Sequence, residues 1–437
     1  MWLFVRDKVS KKNELERAGA KLPRRVVPRQ IERDILPWLK REEIIVITGA
    51  RQIGKSVLLY RLIYNQLLPK TSNVFYFNLD VPGQIDFFDD PGRLVELINR
   101  SKSRTYIFID EIQRLKEPGM FLKGLYDLHL SVKFIVSGSS TLEIKSKVQE
   151  ALTGRKIVFH LQPFNLLELS QALFPGEEPE QTLTSENKYN LVLDHYFRYG
   201  GYPAVALAGD RKIKLRLIEE IFRSYLEKEI KTFLKVENET AFINLVKVLA
   251  SQVGSLINKH ELSSTLGIHK NTLDKYLFYL EQTFVLDFVR PFFKNPRKEL
   301  VKSPKVYFRD LGLRNFAIAN FSDFRYRPDR GAIFENLVYL LLSEERSFSS
   351  RVNFWRTKSG AEVDFILMKG MNPVPFEAKA SELKEFKIGR SLRSFIEKYQ
   401  PEVAYYVNLT LKGDRKFGKT KVYFISPAQF LTTKINI

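Results

Sequence analysis

The chain has 437 residues, more than a single hydrophobic core usually supports, so we expect two to four domains. Hydrophobic residues make up 44% and charged residues 27%, a balance that excludes a disordered chain. The net charge of +20 favours polyanionic partners, although a lysine-rich surface adapted to heat gives the same excess, and the lack of cysteine excludes disulfides and thiolate metal sites.

The first 26 residues are basic and weakly patterned, and they predict an extension ahead of the first domain. They lack the apolar middle of a signal peptide, and no apolar run reaches the roughly 18 residues of a membrane helix. We therefore expect a cytoplasmic protein without a membrane partner. Abundant Lys and Glu with no Cys also indicate a thermophile.

Between residues 27 and 173, short apolar segments alternate with helical patterns. The predicted strands are 44–48, 73–79, 104–110, 132–137 and 156–161, and the predicted helices are 29–40, 55–67, 90–101, 118–130 and 141–152. Continuous apolar strands alternating with helices are typical of a parallel sheet covered on both faces. The predicted fold class of this region is therefore α/β.

A glycine-rich turn follows the first of these strands directly. Such a turn at a helix N-terminus lets backbone N–H groups surround phosphates. Lys55 is expected to reach the β- and γ-phosphates, and the Ser56 hydroxyl to ligate Mg²⁺. The predicted ATP-binding residues are Gly49, Ala50, Arg51, Gln52, Ile53, Gly54, Lys55, Ser56 and Val57.

The third predicted strand ends in two acids, Asp110 and Glu111. Asp110 is the expected acidic partner of the Mg²⁺, and Glu111 the carboxylate that polarises the attacking water, so the pair predicts hydrolysis. Solvated acids at an ordinary strand end are the alternative interpretation. A hydroxyl at the end of the fourth strand is expected to sense the γ-phosphate or to help orient the attacking water, with Ser139 favoured over Ser137.

Residues 152–155, Leu-Thr-Gly-Arg, stand just before the fifth strand. The whole set of motifs resembles the AAA+ superfamily, in particular archaeal and bacterial ATPases with a Ser-Gly-Ser-Ser segment followed by a Gly-Arg. In that family this arginine often projects into the ATP of the neighbouring subunit. The resemblance implies that Arg155 acts in trans within a homo-oligomeric ring, with a hexamer favoured. A solvated surface arginine is the alternative.

The stretch 174–188 is acidic and rich in Pro and Gly, so it predicts an exposed loop. A helical lid is expected over 186–255. Within it, residues 196–204 resemble the Gly-Gly-aromatic-Pro segment that this ATPase family carries in its lid. Arg198 is either a nucleotide contact there or part of a structural turn, and we favour the turn.

Residues 256–315 predict a winged helix-turn-helix, because leucines recur at helical spacing on both sides of Gly267. Exposed polar residues of its second helix suit DNA contacts, which we favour over the docking of a protein. The residues concerned are Lys270, Asn271, Thr272 and Lys275, with the basic surface extended by Lys294, Arg297, Lys298, Lys302 and Lys305.

Residues 328–437 predict an apolar helix with one acid, Glu335, then a strand carrying Asp364 and a strand carrying Glu377 and Lys379. This order resembles the PD-(D/E)XK nuclease superfamily, which includes Holliday-junction resolvases. The resemblance implies that Asp364 and Glu377 hold Mg²⁺, that Glu335 completes or orients the metal shell, and that Lys379 positions or deprotonates the attacking water.

The same region also resembles a domain of uncharacterised function that commonly follows this ATPase type and often lacks some of the nuclease residues. A retained fold with structural ion pairs is therefore the alternative interpretation. The helix predicted at 384–399 carries Lys387, Arg390, Arg393 and Lys398, which suit a phosphate backbone.

These patterns together predict an AAA+ ATPase that remodels duplex or branched DNA, such as Holliday junctions, with a C-terminal domain that binds it. Cleavage and a non-cutting role of that domain are both open. The second hypothesis is an ATP-dependent switch that binds DNA or protein through its winged helix and carries a non-cutting tail. A protein-remodelling ATPase is a third possibility, disfavoured by the basic charge.

Overall fold

The structure is a computed structural model that describes residues 12, 14–16, 19–101, 103–138, 151–225, 238–293, 302–345 and 350–432. The chain divides into two compact units, Met1–Gln162 and Pro163–Ile437. No helix among the described residues has the length and apolar character needed to cross a bilayer.

The first unit alternates strands and helices. Its elements are α1 Ile31–Ile35, β1 Ile44–Thr48, α2 Lys55–Arg61, β2 Val74–Asn78, α3 Pro91–Asn99, β3 Thr105–Asp110, α4 Pro118–Asp127, β4 Val132–Gly138 and β5 Lys156–His160. A 3₁₀ turn at Leu36–Lys40 follows α1, and a π-helical segment at Leu62–Leu67 continues α2. The helix predicted at 141–152 lies almost wholly outside the described residues.

The five strands of this unit form one parallel sheet in the order β2-β3-β4-β1-β5 within the described residues. All five residues of β1 are buried, as expected for a central strand with helices on both faces. Register pairs join Thr48 to Gly138 and Asn78 to Asp110, so the carboxyl ends of these strands share one edge. The predicted α/β fold with a parallel core sheet is confirmed.

The second unit begins with helices. They are α5 Leu166–Leu173, α6 Pro179–Thr184, α7 Glu186–Tyr199, α8 Pro203–Leu207, α9 Arg211–Tyr225, α10 Glu239–Ser251, α11 Lys259–Leu266 and α12 Lys270–Gln282. Gly267 adopts a left-handed conformation (φ 62°) at the corner between α11 and α12, where the sequence predicted the turn of a helix-turn-helix.

The loop predicted at 174–188 is wrong for most of its length, because α6 and the start of α7 occupy it. Pro179 stands in the first turn of α6, where a missing N–H costs no hydrogen bond. Thr182 and Leu183 are buried, so the helix packs against its neighbours despite the acidic residues around it. Proline here starts a helix and does not mark a loop.

The second unit continues as a mixed sheet with helices. Its elements are β6 Leu286–Pro291, β7 Lys305–Phe308, α13 Leu311–Ala317, α14 Arg330–Glu344, β8 Ser350–Arg356, β9 Glu362–Lys369, β10 Asn372–Lys379, α15 Arg390–Tyr399, β11 Val403–Asn408, β12 Gly413–Phe417, β13 Thr420–Ile425 and α16 Pro427–Thr432. In the described part of the chain the strands form one sheet in the order β12-β13-β11-β10-β9-β8-β6-β7.

This sheet crosses the boundary predicted between residues 315 and 328. Strands β6 and β7 pair with each other as an antiparallel ladder, as a wing would, but β6 also pairs with β8 at Arg290 and Asn353. The strands after the helix-turn-helix and those of the C-terminal region therefore share backbone hydrogen bonds. Residues 294–301, which include Lys294, Arg297 and Lys298, lie outside the described part.

Candidate nucleotide site and a buried acidic cluster

The phosphate-binding loop predicted at 49–56 connects β1 to α2. Gly49 passes so close to the segment after β5 that a Cβ there would stand 2.5 Å from the carbonyl oxygen of Leu161. Gly54 adopts a left-handed conformation (φ 94°) as the N-cap of α2. Only glycine accommodates both demands without strain, so the loop turns sharply and presents a helix N-terminus.

Lys55 is buried and lies back over this loop. Its Nζ donates hydrogen bonds to the carbonyl oxygens of Gly49, at 3.0 Å, and Ala50, at 2.9 Å. The ammonium is thus held within the turn whose amides would surround phosphate. Phosphate oxygens carry more negative charge than carbonyl oxygens, so an anion bound in the loop would compete for the same donor.

The remaining loop residues differ in exposure. Ile53 is buried, while Gln52 is exposed and left-handed (φ 58°). Arg51, Ser56 and Val57 are partly buried. Arg29, which the sequence did not single out, donates from Nη1 to the carbonyl oxygen of Ile53 over 3.1 Å, and this bond anchors the tip of the loop to the segment before α1.

Asp110 ends β3 as a fully buried carboxylate. The hydroxyl of Ser137 donates to its Oδ1, and the hydroxyl of Tyr76 donates to its Oδ2 over 3.1 Å. Tyr76 in turn contacts the hydroxyl of Tyr60, on the helix after the phosphate-binding loop, at 3.2 Å. Burial raises the pKa of Tyr76, and the neighbouring Asp110 charge raises it further, so this phenol remains a hydrogen-bond donor.

Glu111 follows in a left-handed conformation (φ 58°) that non-glycine residues rarely adopt. Its carboxylate accepts a hydrogen bond from the side-chain amide of Gln113. Backbone strain of this kind persists where the surrounding structure enforces it, commonly at functional sites. Ser139, the favoured γ-phosphate sensor, lies outside the described residues, whereas Ser137 contacts Asp110.

Arg155 precedes β5 and lies at the amino end of the strands, whereas the phosphate-binding loop lies at their carboxyl end. Ile44, at the start of β1, donates its backbone N–H to the carbonyl oxygen of Arg155 over 2.8 Å, whereas the loop follows Thr48 at the other end of that strand. The intervening strand spans about 13 Å. The Arg155 side chain forms an ion pair with Asp127 at 2.9 Å and remains partly exposed.

The donor set at 49–56 and 110–111 fits a magnesium nucleotide. The lysine and the glycine turn provide the cation and the backbone N–H groups that bind phosphate. The buried Asp110, held by hydroxyl donors, provides the hard oxygen ligand that Mg²⁺ prefers, directly or through water. Ser56 follows Lys55 in the first turn of α2, as the spacing of the motif requires.

In the second unit, Asp364, Glu377 and Lys379 lie together on adjacent strands. Lys379 Nζ stands 2.8 Å from Glu377 Oε2 and 3.9 Å from Asp364 Oδ2. Asp364 also accepts the backbone N–H of Ala378 at 2.8 Å. The predicted neighbourhood of these three side chains is therefore present, with the lysine forming ion pairs to both acids.

Glu335, on α14, contacts Lys305 and Tyr307 of β7. Lys305 Nζ lies 3.1 Å from Glu335 Oε1 and 2.6 Å from Glu362 Oε1. The hydroxyl of Tyr307 donates to the same Glu335 oxygen over 2.5 Å. Lys305 is 2% exposed, so its assignment to a basic DNA-facing surface is wrong: this lysine forms ion pairs with two partly buried acids. We call Lys305, Glu335, Glu362, Asp364, Glu377 and Lys379 the acidic cluster.

Burial sets the ionisation of this cluster. Burial raises the pKa of Glu377 to about 8 and that of Glu335 to about 7, in both cases reinforced by the charge of Asp364 and opposed by a lysine. For Lys305 and Lys379, burial disfavours the charge, but the surrounding acids outweigh it and raise the pKa of both lysines. The lysines stay charged, and Glu335 and Glu377 take up a proton at a higher pH than an exposed glutamate does.

Among the described residues, no three His, Cys, Asp or Glu side chains are grouped so that they could hold a metal ion. Lys305 and Lys379 already form ion pairs with the carboxylate oxygens that a metal ion would need as ligands. The acidic cluster is thus a poor fit for the three-carboxylate Mg²⁺ site that the sequence predicted, and the metal-binding and nucleolytic roles of Glu335, Asp364, Glu377 and Lys379 stay predictions.

The second helix of the helix-turn-helix, α12, exposes Lys270, Asn271 and Lys275, and Thr272 is partly buried. Lys259, on α11, forms an ion pair with Asp274 at 2.6 Å. The surface therefore offers exposed polar groups at the start of α12, but its charge is mixed. DNA contact and protein docking both stay open for this module.

The Gly-Gly-aromatic-Pro segment has a packing role. Arg198 forms ion pairs with Asp194 at 2.7 Å and with Asp323 at 3.0 Å. A Cβ on Gly200 would stand 2.3 Å from a carboxylate oxygen of Asp310, and one on Gly201 would stand 2.2 Å from the carbonyl oxygen of Phe164. These contacts support the structural turn that the sequence favoured.

The sheet order, the glycine turn and the buried Asp110 define a P-loop nucleotide-binding fold. Residues 41–170, which include the whole parallel sheet, match the family model described as "AAA domain". Two further models, described as "Domain of unknown function (DUF8612)" and "Domain of unknown function (DUF4143)", match residues 191–324 and 330–429.

Two relatives match most of the chain. An uncharacterized protein of Mycobacterium tuberculosis is 26% identical over 400 residues, covering 90% of this chain and 82% of its own length. One of Methanocaldococcus jannaschii is 23% identical over 409 residues, covering 91% and 88%. Among solved structures, the Aeropyrum pernix ORC2 protein in ADPNP-ADP complexes aligns with 14% identity over 73% of this chain and 96% of that chain, at a TM-score of 0.41. That score is too low to carry an argument about this chain.

Proposed function

We propose that the chain is an AAA+ ATPase that binds and hydrolyses ATP with Mg²⁺ and uses the energy to remodel DNA. The observation that carries the ATPase proposal is the buried Asp110, fixed by Tyr76 and by Ser137 of the adjacent strand. Its oxygens are preorganised for a cation, so little side-chain order is lost on binding.

In this proposal, Gly49 to Val57 enclose the phosphates, and Lys55 moves from its carbonyl partners to the β- and γ-phosphate oxygens. Mg²⁺, when bound, neutralises phosphate charge, and Ser56 and Asp110 are the residues that would hold it. Glu111 orients and deprotonates the attacking water, and Ser137 or Ser139 senses the terminal phosphate.

Arg155 acts in trans. Its position at the amino end of β5, against Ile44, separates it from the loop of its own chain by the length of β1. A guanidinium there serves only a nucleotide held by a neighbouring copy, which supports a homo-oligomeric ring, with a hexamer favoured. Asp127 orients the arginine through its ion pair.

The DNA-directed part of the proposal depends on the net charge of +20 and on the helix-turn-helix in α11 and α12. The favoured substrates are duplex or branched DNA, such as Holliday junctions. If the C-terminal region cleaves, Asp364, Glu377 and Glu335 are the acids involved, and Lys379 the group that would position water.

One observation favours a second candidate function. Lys305 forms ion pairs to Glu335 and Glu362, and Lys379 forms ion pairs to Asp364 and Glu377, as in a structural network. This supports an ATP-dependent switch that binds DNA or protein through its helix-turn-helix and carries a non-cleaving C-terminal scaffold.

A single assay separates the two candidates. Labelled linear, forked and four-way DNA is incubated with the full chain and Mg²⁺, with and without ATP, alongside Lys55→Ala, Asp364→Ala and, as a control, the exposed Lys70→Ala. Strand movement lost only in Lys55→Ala supports the remodelling ATPase, and cleavage lost only in Asp364→Ala supports the nuclease. Neither event with any DNA would overturn the remodelling proposal in favour of the switch.

A further inference from the structure

Two segments of the second unit concentrate positive charge. Residues 382–393 and 412–421 together carry nine Lys or Arg and three Asp or Glu. Twenty-two residues thus supply a net charge of +6 out of the +20 of the whole chain, far above their share by length. The edge surface, as we name it, consists of the exposed side chains of Lys384, Lys387, Arg390, Arg393, Lys412 and Arg415.

Contacts between the two segments make the edge surface continuous. Arg415 donates from Nη1 to the carbonyl oxygen of Phe386 over 2.9 Å, and the guanidinium of Arg393 lies 5.6 Å from the ring centre of Phe417. Phe386 and Phe417 pack against the core beneath α15. The basic groups from β12, from α15 and from the segment before α15 therefore lie on one side of the sheet, at its edge.

This edge surface adjoins the acidic cluster. Gly389, just before α15, donates its N–H to the hydroxyl of Tyr406 over 2.7 Å, and Tyr406 pairs in register with Glu377. Ser391, in the first turn of α15, accepts the backbone N–H of Glu362 over 3.2 Å. The basic end of α15 thus lies over the strands that carry the acids.

We propose that the edge surface binds the phosphate backbone of duplex DNA and leads the duplex toward the acidic cluster. This inference rests on the DNA-directed function proposed above and names the surface that performs it. From β10 to β12 the sheet spans three strand spacings, about 14 Å. A duplex presents a charge about every 1.7 Å of its axis, so a length of about 14 Å offers several phosphates to six basic side chains.

The character of the surface fits a duplex better than a single strand or a protein. Single-strand binding uses exposed aromatic rings for stacking, but Phe386 and Phe417 are packed against the core. Protein interfaces centre on apolar anchors, and no large apolar side chain of these two segments is strongly exposed. Arginine and lysine without such anchors are typical of contacts to the phosphate backbone.

The test compares paired substitutions in the full chain. Binding of a labelled linear duplex is measured by fluorescence anisotropy over a range of salt concentrations, for wild type, Arg390→Ala/Arg393→Ala and Lys387→Ala/Lys412→Ala. The matched control is Arg211→Ala/Lys212→Ala, which removes the same charge from exposed positions at the start of α9. The thermal unfolding temperature of each variant checks that the substituted second unit is folded.

Each edge-surface pair should weaken binding about tenfold or more and reduce the slope of log K against log salt by about 0.9 for each phosphate that the variant no longer neutralises. The control pair should keep the wild-type slope. Equal effects of all three pairs, or no effect of the edge-surface pairs, would overturn the edge surface while leaving DNA binding elsewhere intact. A wild type that binds only RNA, or no nucleic acid at any salt, would overturn the DNA-directed function as well.

Discussion

Gly201 donates its backbone N–H to Asp310 Oδ2 over 2.8 Å, a hydrogen bond that spans 109 residues of sequence. Asp310 also caps α13 by accepting the N–H of Leu313 at 2.9 Å. Burial raises the pKa of Asp310 to about 6, and the backbone N–H donors oppose that rise. The glycine pair therefore exists because the chain must approach a buried carboxylate within bonding distance.

Substitution of Gly201 by Ala should destabilise the second unit by about 2–4 kcal/mol, because the new Cβ meets the backbone of Phe164 and the Asp310 bond is displaced. Chemical denaturation measures the change. The matched control is Gly331→Ala, a helical glycine around which a Cβ meets nothing within 4 Å. Equal stability of the two variants would refute the packing role.

Tyr76→Phe should raise the KM for MgATP about tenfold with a smaller change in kcat, because a hydrogen bond to a charged group contributes about 1.5–3 kcal/mol. Tyr76 donates to Asp110 and so acts through the position of that carboxylate. Steady-state kinetics at varied Mg²⁺ concentration measures the changes in KM and kcat separately. Tyr106→Phe, on the neighbouring strand, is the control, and an unchanged KM in Tyr76→Phe would contradict the positioning role.

Arg155→Ala and Lys55→Ala should each abolish hydrolysis alone and regain activity when mixed. If the arginine serves the neighbouring copy, a site with Lys55 from one chain and Arg155 from the next forms in about one quarter of random pairings. ATPase assays on 1:1 mixtures measure the recovery. Mixtures that stay inactive, although the two variants co-assemble, would show that Arg155 does not act in trans.

Lys305→Met should destabilise the second unit by about 3 kcal/mol, because it removes the cation of the largely enclosed Glu335, whereas Glu362 keeps an ion pair with Arg356. The exposed Lys302→Met is the control. Adding Glu335→Gln to Lys305→Met should restore part of the loss, as judged by thermal unfolding. If Lys305→Met were as stable as the control, the neutralising role of Lys305 would be refuted.

The raised pKa values of Glu335 and Glu377 predict a pH dependence. In the folded state Glu335 and Glu377 retain protons that they release above about pH 4.3 in the unfolded chain. Their contribution to the free energy of unfolding is therefore fully present below that pH. It is lost as pH rises through the folded values of about 7 and about 8. The unfolding temperature of Glu377→Gln should fall less than that of wild type between about pH 5 and pH 8. Parallel pH profiles would contradict the assignment.

The sequence predicted those parts of the molecule that depend on local order. The phosphate-binding loop, the strands around it and the turn at Gly267 follow from motif spacing and from hydrophobic periodicity, which act over a few residues. Strand alternation predicted that Glu377 and Lys379 share a face, and the resemblance to PD-(D/E)XK nucleases added Asp364 to them.

Long-range pairing explains what the sequence did not predict. Lys305 looked like one cation of a basic run, since nothing local marks a lysine that will meet Glu335 across 30 residues. Arg29 and Tyr76 likewise owe their roles to partners 24 and 34 residues away. The helix α6 was missed because Pro179 punctuates loops and begins helices alike, and burial of Leu183 decides between them.

The most direct test of the account is ATP binding and hydrolysis by wild type, Lys55→Ala and Glu111→Gln. We expect wild type to bind ATP at micromolar concentration and hydrolyse it, and Lys55→Ala to lose binding. Glu111→Gln should bind ATP but hydrolyse it about 100-fold or more slowly, the usual contribution of a general base. A wild-type chain that takes up no ATP, or Glu111→Gln turning over at the wild-type rate, would contradict the proposed chemistry.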